Sequence, residues 1–165
     1  MTEKIEKAKF VIGRLDNYIE GTNSKGNFIL ASNAVVIGGI LTGFAFGGKL
    51  EILCIQKVFL GLSIMCGLLS CFFTLLAIIP FTKSIGKKNY KSLFFFRDIV
   101  RFRQDDYINF LNQQTPQEEF NDLSTQIFNI SGGLNGKFKK MKISIIFLFI
   151  EIVFISLYIL NIIIP

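Results

Sequence analysis

The sequence predicts an all-α membrane protein: three transmembrane helices, with a cytoplasmic helical bundle formed by the N-terminal helix and the connection over 82–142. Three observations predict it. Hydrophobic residues make up 51% of the 165-residue chain, and Phe alone occurs 19 times, more apolar surface than a soluble domain of this length needs. They gather into three runs, at about 28–46, 58–81 and 143–164, each near the roughly 20 helical residues that cross a bilayer core. The remaining segments carry apolar residues at steps of three and four, the helical period. No ten-residue alternating pattern of a barrel appears, which leaves helices as the spanning form.

The first segment, 1–26, has apolar residues at Ile5, Ala8, Ile12, Leu15 and Ile19. This is a coiled-coil-like stripe, and Glu3, Lys4, Lys7, Arg14 and Asp16 lie off it. A secretory leader is not expected, because some two dozen polar and amphipathic residues precede the first apolar run without a small-residue cleavage signature.

A transmembrane hairpin follows over 27–81. Its first span carries the ladder Gly39, Gly43 and Gly47, and its second carries Ser63, Gly67 and Cys71. Small residues four apart let helix backbones approach closely, so both ladders read as helix-packing faces, in a tight hairpin or an oligomer seam. Asn33 interrupts the first span and is expected to bond across helices. Cys54, Cys66 and Cys71 lack paired metal-ligand spacing and read as small apolar packers.

The connection over 82–142 reads as two helices. "KSLFFFRDIVRFRQDDYINFLNQQ" is one, less regular and rich in Phe and Arg. The other has a marked start, with Thr115 as N-cap, Pro116 at the first helical position and Glu118 completing a capping box. Its stripe is Phe120, Leu123, Ile127, Ile130, Leu134, Phe138 and Met141, leading into the last span. Gly132–Gly133 marks either a kink or a close helix contact.

The last span, in the segment 143–165, carries Glu151 as its ninth residue, about 12 Å deep at 1.5 Å per residue. A carboxylate there needs a partner or water. Two readings stand: a pore-lining or gating group, or a protonated acid bonded to a neighbouring helix, with Asn33 a candidate partner.

Orientation follows from the basic residues. Sixteen of the 18 Lys and Arg lie in 1–26 and 82–142, and only Lys49 and Lys57 lie in the short connection. The positive-inside rule then places the N-terminus and the long connection in the cytoplasm, and the short loop and C-terminus outside. Lys25 anchors the entry of the first span at the headgroups, and Lys139, Lys140 and Lys142 suit anionic lipid.

Catalytic chemistry is not expected. The chain has no histidine, the commonest general base and metal ligand. "SGGLNGKF" fails the phosphate-loop pattern, with Ser131 at the first glycine position and Phe138 in place of Ser or Thr. No metal, DNA or RNA partner is expected, despite a net charge of +6. Membrane lipid is the expected surrounding.

The order of "NSKGNFILASNA", a hairpin, "YKSLFFFRDIV" and "LSTQIFNISGGLNGKFKKMKI" resembles the transmembrane effector family of the Pycsar anti-phage systems, over nearly the whole chain. Lys25, Gln126, Ile127, Ser131 and Lys137 match that family's pattern, while Asn23 and Gly26 stand where other residues are usual. The resemblance implies a membrane effector that responds to a cyclic nucleotide and impairs the inner membrane, causing growth arrest or cell death. It further implies a cytoplasmic ligand-binding set of Asn23, Lys25, Arg97, Arg101 and Lys137. The small cytoplasmic core and the small-residue ladders make a homo-oligomer the expected assembly. A second reading from the residues is a non-enzymatic membrane adaptor that holds a cytoplasmic partner through its helical stripes.

Overall fold

The computed structural model describes residues 1–46, 54–80 and 91–163. Five helices appear among the described residues: α1 (Thr2–Phe46), α2 (Cys54–Ile78), α3 (Phe96–Ile99), α4 (Gln104–Gln113) and α5 (Pro116–Ile163). No strand occurs among the described residues. Three of the helices, α1, α2 and α5, are long and apolar enough to cross a membrane, as the three apolar runs predict.

The chain divides into two compact units. Unit 1 comprises Met1–Glu20 and Pro80–Asn135, and unit 2 comprises Gly21–Ile79 and Gly136–Pro165. Residues 21–26 and 136–142, read from the sequence as cytoplasmic flanks, thus pack with the apolar helices. The reason is that the three-four stripe does not stop where the polar residues begin, as the buried faces below show.

In unit 1 the two stripes bury each other. Ile5 and Ala8 of α1 pack with Leu123 of α5, and Ile12, Phe120 and Ile127 close around them. The Lys9 ammonium lies 3.1 Å from Glu119 at the edge of this core. The capping box forms as the sequence predicts: the Thr115 backbone N–H and hydroxyl both donate to Glu118 at 2.8 Å, and the Glu118 N–H donates back to the Thr115 hydroxyl at 3.3 Å. From this start α5 runs unbroken across Gly132–Gly133, with Gly133 buried. Phe138 departs from the expected stripe and is exposed.

The segment 91–114 corrects the single-helix expectation. It begins with a turn, forms the four-residue α3, breaks at Val100–Arg103, and resumes as α4. Local side chains compete for the backbone. The Ser92 hydroxyl accepts the N–H groups of Phe94 and Phe95 at 3.0 and 3.1 Å, and Asp98 accepts the Ser92 N–H at 3.2 Å. Arg103 is extended at ψ 149°, and Asp105 and Asp106 then favour a new helix start by their charge against its N-terminus.

Unit 2 has its polarity turned inside out. Thr22, Asn33, Gln56, Ser63, Ser70, Thr74, Ser144 and Glu151 are buried, while Phe28, Val35, Leu68, Phe72 and Phe149 are more than half exposed. In water this would be a costly arrangement; with hydrocarbon outside, it is the expected one. The buried faces keep a heptad rhythm: Thr22, Gly26, Ile29 and Asn33 on α1, Ser63, Gly67, Ser70, Thr74 and Ala77 on α2, and Lys137, Met141, Ser144, Leu148 and Glu151 on α5, all buried except half-buried Leu148. Ile29, Ala77 and Met141 form the apolar part of the seam, with Leu148 packed against them.

Candidate functional site

Among the described residues, two places carry most of the polar chemistry, one in each unit. In unit 1, the break between α3 and α4 folds the chain around a cavity of about 720 Å³. Three cations, Lys91, Arg101 and Arg103, line it with the aromatic rings of Phe102 and Phe110. The Lys91 ammonium sits 5.1 Å from the centre of the Phe102 ring, a cation–π distance.

The wall is positioned by buried aspartates. Asp122 is 2% exposed and accepts the Leu93 N–H at 2.9 Å. The Tyr107 hydroxyl donates to the Leu93 carbonyl at 3.1 Å, so the segment bearing Lys91 is held from both sides. Arg101 pairs with Asp98 at 3.5 Å but keeps a largely exposed side chain. Glu118 also lines the cavity; its hydrogen bonds from the Thr115 backbone and then the Thr115 hydroxyl hold its carboxyl below the usual carboxylate range. A volume of this order accommodates a small organic ligand. Guanidinium and ammonium groups suit a phosphate, and the ring faces suit a base.

In unit 2 the seam between the spans is polar along its length. Asn33 donates to the Ile29 carbonyl at 2.9 Å and to the Ser70 hydroxyl of α2 at 3.1 Å. Ser70, Thr74 and Ser144 form a closed hydroxyl cluster linking α2 to α5. Further along, the Gln56 amide donates to the Asn161 side chain at 3.2 Å. Glu151 is fully buried, and neither of its oxygens has a hydrogen-bond partner among the described residues. It lies against Gly67, where a Cβ would meet its Oε1 at 2.5 Å. At the other end of the seam, the buried Lys137 ammonium donates to the Ile78 carbonyl at 3.0 Å and to the Asn23 side chain at 3.4 Å. Lys140 donates to the Leu76 carbonyl at 3.2 Å. Two lysines of α5 therefore satisfy carbonyls at the C-terminal end of α2, where cations are favoured.

Of the expected ligand-binding set, the structure joins Asn23 with Lys137 in unit 2 and places Arg97 and Arg101 in unit 1. Arg101 lines the cavity; Lys137 is engaged by the end of α2, and Lys25 is exposed on α1. Asn33 does bond across helices, but to Ser70 and not to Glu151. A Cβ at Gly39 or Gly43 meets nothing within 4 Å, so these two glycines face no close neighbour among the described residues. Gly47 lies outside the described residues. Gly67, by contrast, is closely approached, by the Glu151 side chain rather than by a helix backbone.

The sequence reading missed Lys91, Arg103 and the aromatic pair of the cavity, which come together only because the segment breaks. It also missed the hydroxyl cluster, for which a signal exists: Lys137, Ser144 and Glu151 are seven apart, as are Gln56, Ser63 and Ser70. Among the described residues, no group of three His, Cys, Asp or Glu side chains could hold a metal ion.

A seamed bundle of three apolar helices with a separate helical unit defines a small helical membrane protein. The Pycsar effector protein domain, PycTM, matches residues 7–163, and the chain belongs to that family. Comparison with curated proteins and with solved structures finds no match.

Proposed function

We propose that this protein is the membrane effector of an anti-phage defence system, acting without catalysis. A cyclic nucleotide binds the cavity of unit 1, the spans respond, and inner-membrane integrity is lost, leading to growth arrest or cell death. The cavity of Lys91, Arg101, Arg103, Phe102 and Phe110 carries this reading: its cations meet the cyclic phosphate and its rings meet the base. Family membership supports the defence role. The count of basic residues supports an inner-membrane orientation with the N-terminus and unit 1 in the cytoplasm. The open faces of Gly39 and Gly43 support homo-oligomers in the bilayer.

Calorimetric titration of the detergent-solubilised full chain with purine and pyrimidine 3′,5′-cyclic nucleotides tests the site. Binding of one of them, weakened at least tenfold by Arg101→Glu, is the expected result. Binding that is indifferent to Arg101→Glu and Lys91→Glu would remove the ligand from this cavity. The adaptor reading has less support, because the stripes it would offer to a partner are packed against each other in unit 1.

A further inference from the structure

Among the described residues, four buried oxygen atoms in unit 2 lack a hydrogen-bond partner: Asn33 Oδ1, Ser63 Oγ and both carboxylate oxygens of Glu151. All three residues are 0% exposed, and each comes from a different span. We propose that this part of the seam is a binding site for a monovalent alkali cation, coordinated by the Glu151 carboxylate with the Ser63 and Asn33 side-chain oxygens.

The hydrogen-bond inventory carries the assignment. The Asn33 amide nitrogen already serves the Ile29 carbonyl and the Ser70 hydroxyl. The hydroxyls of Ser70, Thr74 and Ser144 are engaged within their own cluster. Among these groups the Ser63 hydroxyl is the one donor without a partner, so free acceptors outnumber free donors along the seam. Buried polar groups in this condition call for water or an ion.

Position along α2 agrees. Glu151 reaches the backbone of α2 because Gly67 has no side chain. Ser63 lies one turn before Gly67 on the same buried face, and Ser70, which anchors Asn33, lies one turn after it. Ser63 and the Ser70 anchor of Asn33 thus lie on either side of Gly67 along α2. Oxygen-only donors select a hard cation. One carboxylate neutralises one positive charge, whereas a divalent ion would leave net charge in the hydrocarbon. The proposal does not rest on the defence reading, since an adaptor with this seam would bind the ion equally.

Thermal unfolding of the full-length protein in detergent micelles tests it, in sodium, potassium or N-methylglucamine chloride at equal ionic strength. Sodium or potassium is expected to raise the midpoint by about 5 °C over the organic cation. Glu151→Gln is expected to abolish that difference, and Ser63→Ala to raise the half-saturating cation concentration about tenfold. Equal midpoints in all three salts would overturn the site. A cation response retained in Glu151→Gln would overturn it as well. If that variant fails to fold, an unchanged half-saturating concentration in Ser63→Ala serves as the contrary result.

Discussion

Arg101 illustrates how a residue's role depends on the break beside it. In an unbroken helix over 91–114 it would be one more solvated cation. With the chain turned at Val100–Arg103, it faces the same cavity as Lys91 and Phe102. Its partner Asp98 is buried and also fixes the Ser92 turn, so position and charge are set together. Thr115 and Glu118 show the opposite case, in which four adjacent residues suffice. Thr115→Ala is expected to destabilise unit 1 by about 1 kcal/mol, read as a fall in the unfolding midpoint of about 2–4 °C. The Glu118 carboxyl is held below its usual range by the Thr115 N–H and hydroxyl. Its contribution is therefore complete above the ordinary glutamate pKa and is lost as pH falls through the lowered value. Thermal scans across acidic pH should show the Thr115→Ala deficit shrinking as the pH drops.

The capping box was legible because it is local: side-chain oxygens three residues apart and a proline between them specify the start of α5. The cavity was not legible, because it needs Lys91, Phe110 and Asp122 from separate turns of chain.

At the scale of elements, the heptad seam of α1, α2 and α5 is the organising feature. The apolar stripe was readable as far as Ile19 on α1 and Met141 on α5, and there the reading stopped, since Asn33, Ser144 and Glu151 occupy core positions with polar side chains. Their period of seven continues the stripe, so the missing information was chemical, not geometric: in hydrocarbon the polar face is the one that packs inward. Gly67 and Gly43 separate two uses of a small residue. Gly67→Val would force a side chain into Glu151 and is expected to cost about 1–3 kcal/mol, measured by thermal unfolding in detergent. Gly43→Leu enters open space and should leave the monomer's unfolding midpoint unchanged while reducing chemical crosslinking between copies in membranes. Lys137→Met removes a charged donor from the Ile78 carbonyl and should lower the midpoint, with a loss of about 1–3 kcal/mol.

For the molecule as a whole, the fold class and the three spans could be read from composition and run length, because burial in lipid demands them whatever the contacts. Which side of each helix faces inward required the structure. The same pattern frames the functional account: unit 1 offers a cavity lined by three cations, three acids and aromatic rings, and unit 2 a seam with unpartnered oxygens around Glu151. The most direct measurement of the central claim is membrane potential, followed with a voltage-sensitive dye in bacteria expressing this protein with and without a co-expressed nucleotide cyclase. The account predicts depolarisation only when the cyclase is present and active, lost in Arg101→Glu while the protein remains in the membrane. An unchanged potential in the presence of the active cyclase, including during phage challenge, would contradict it.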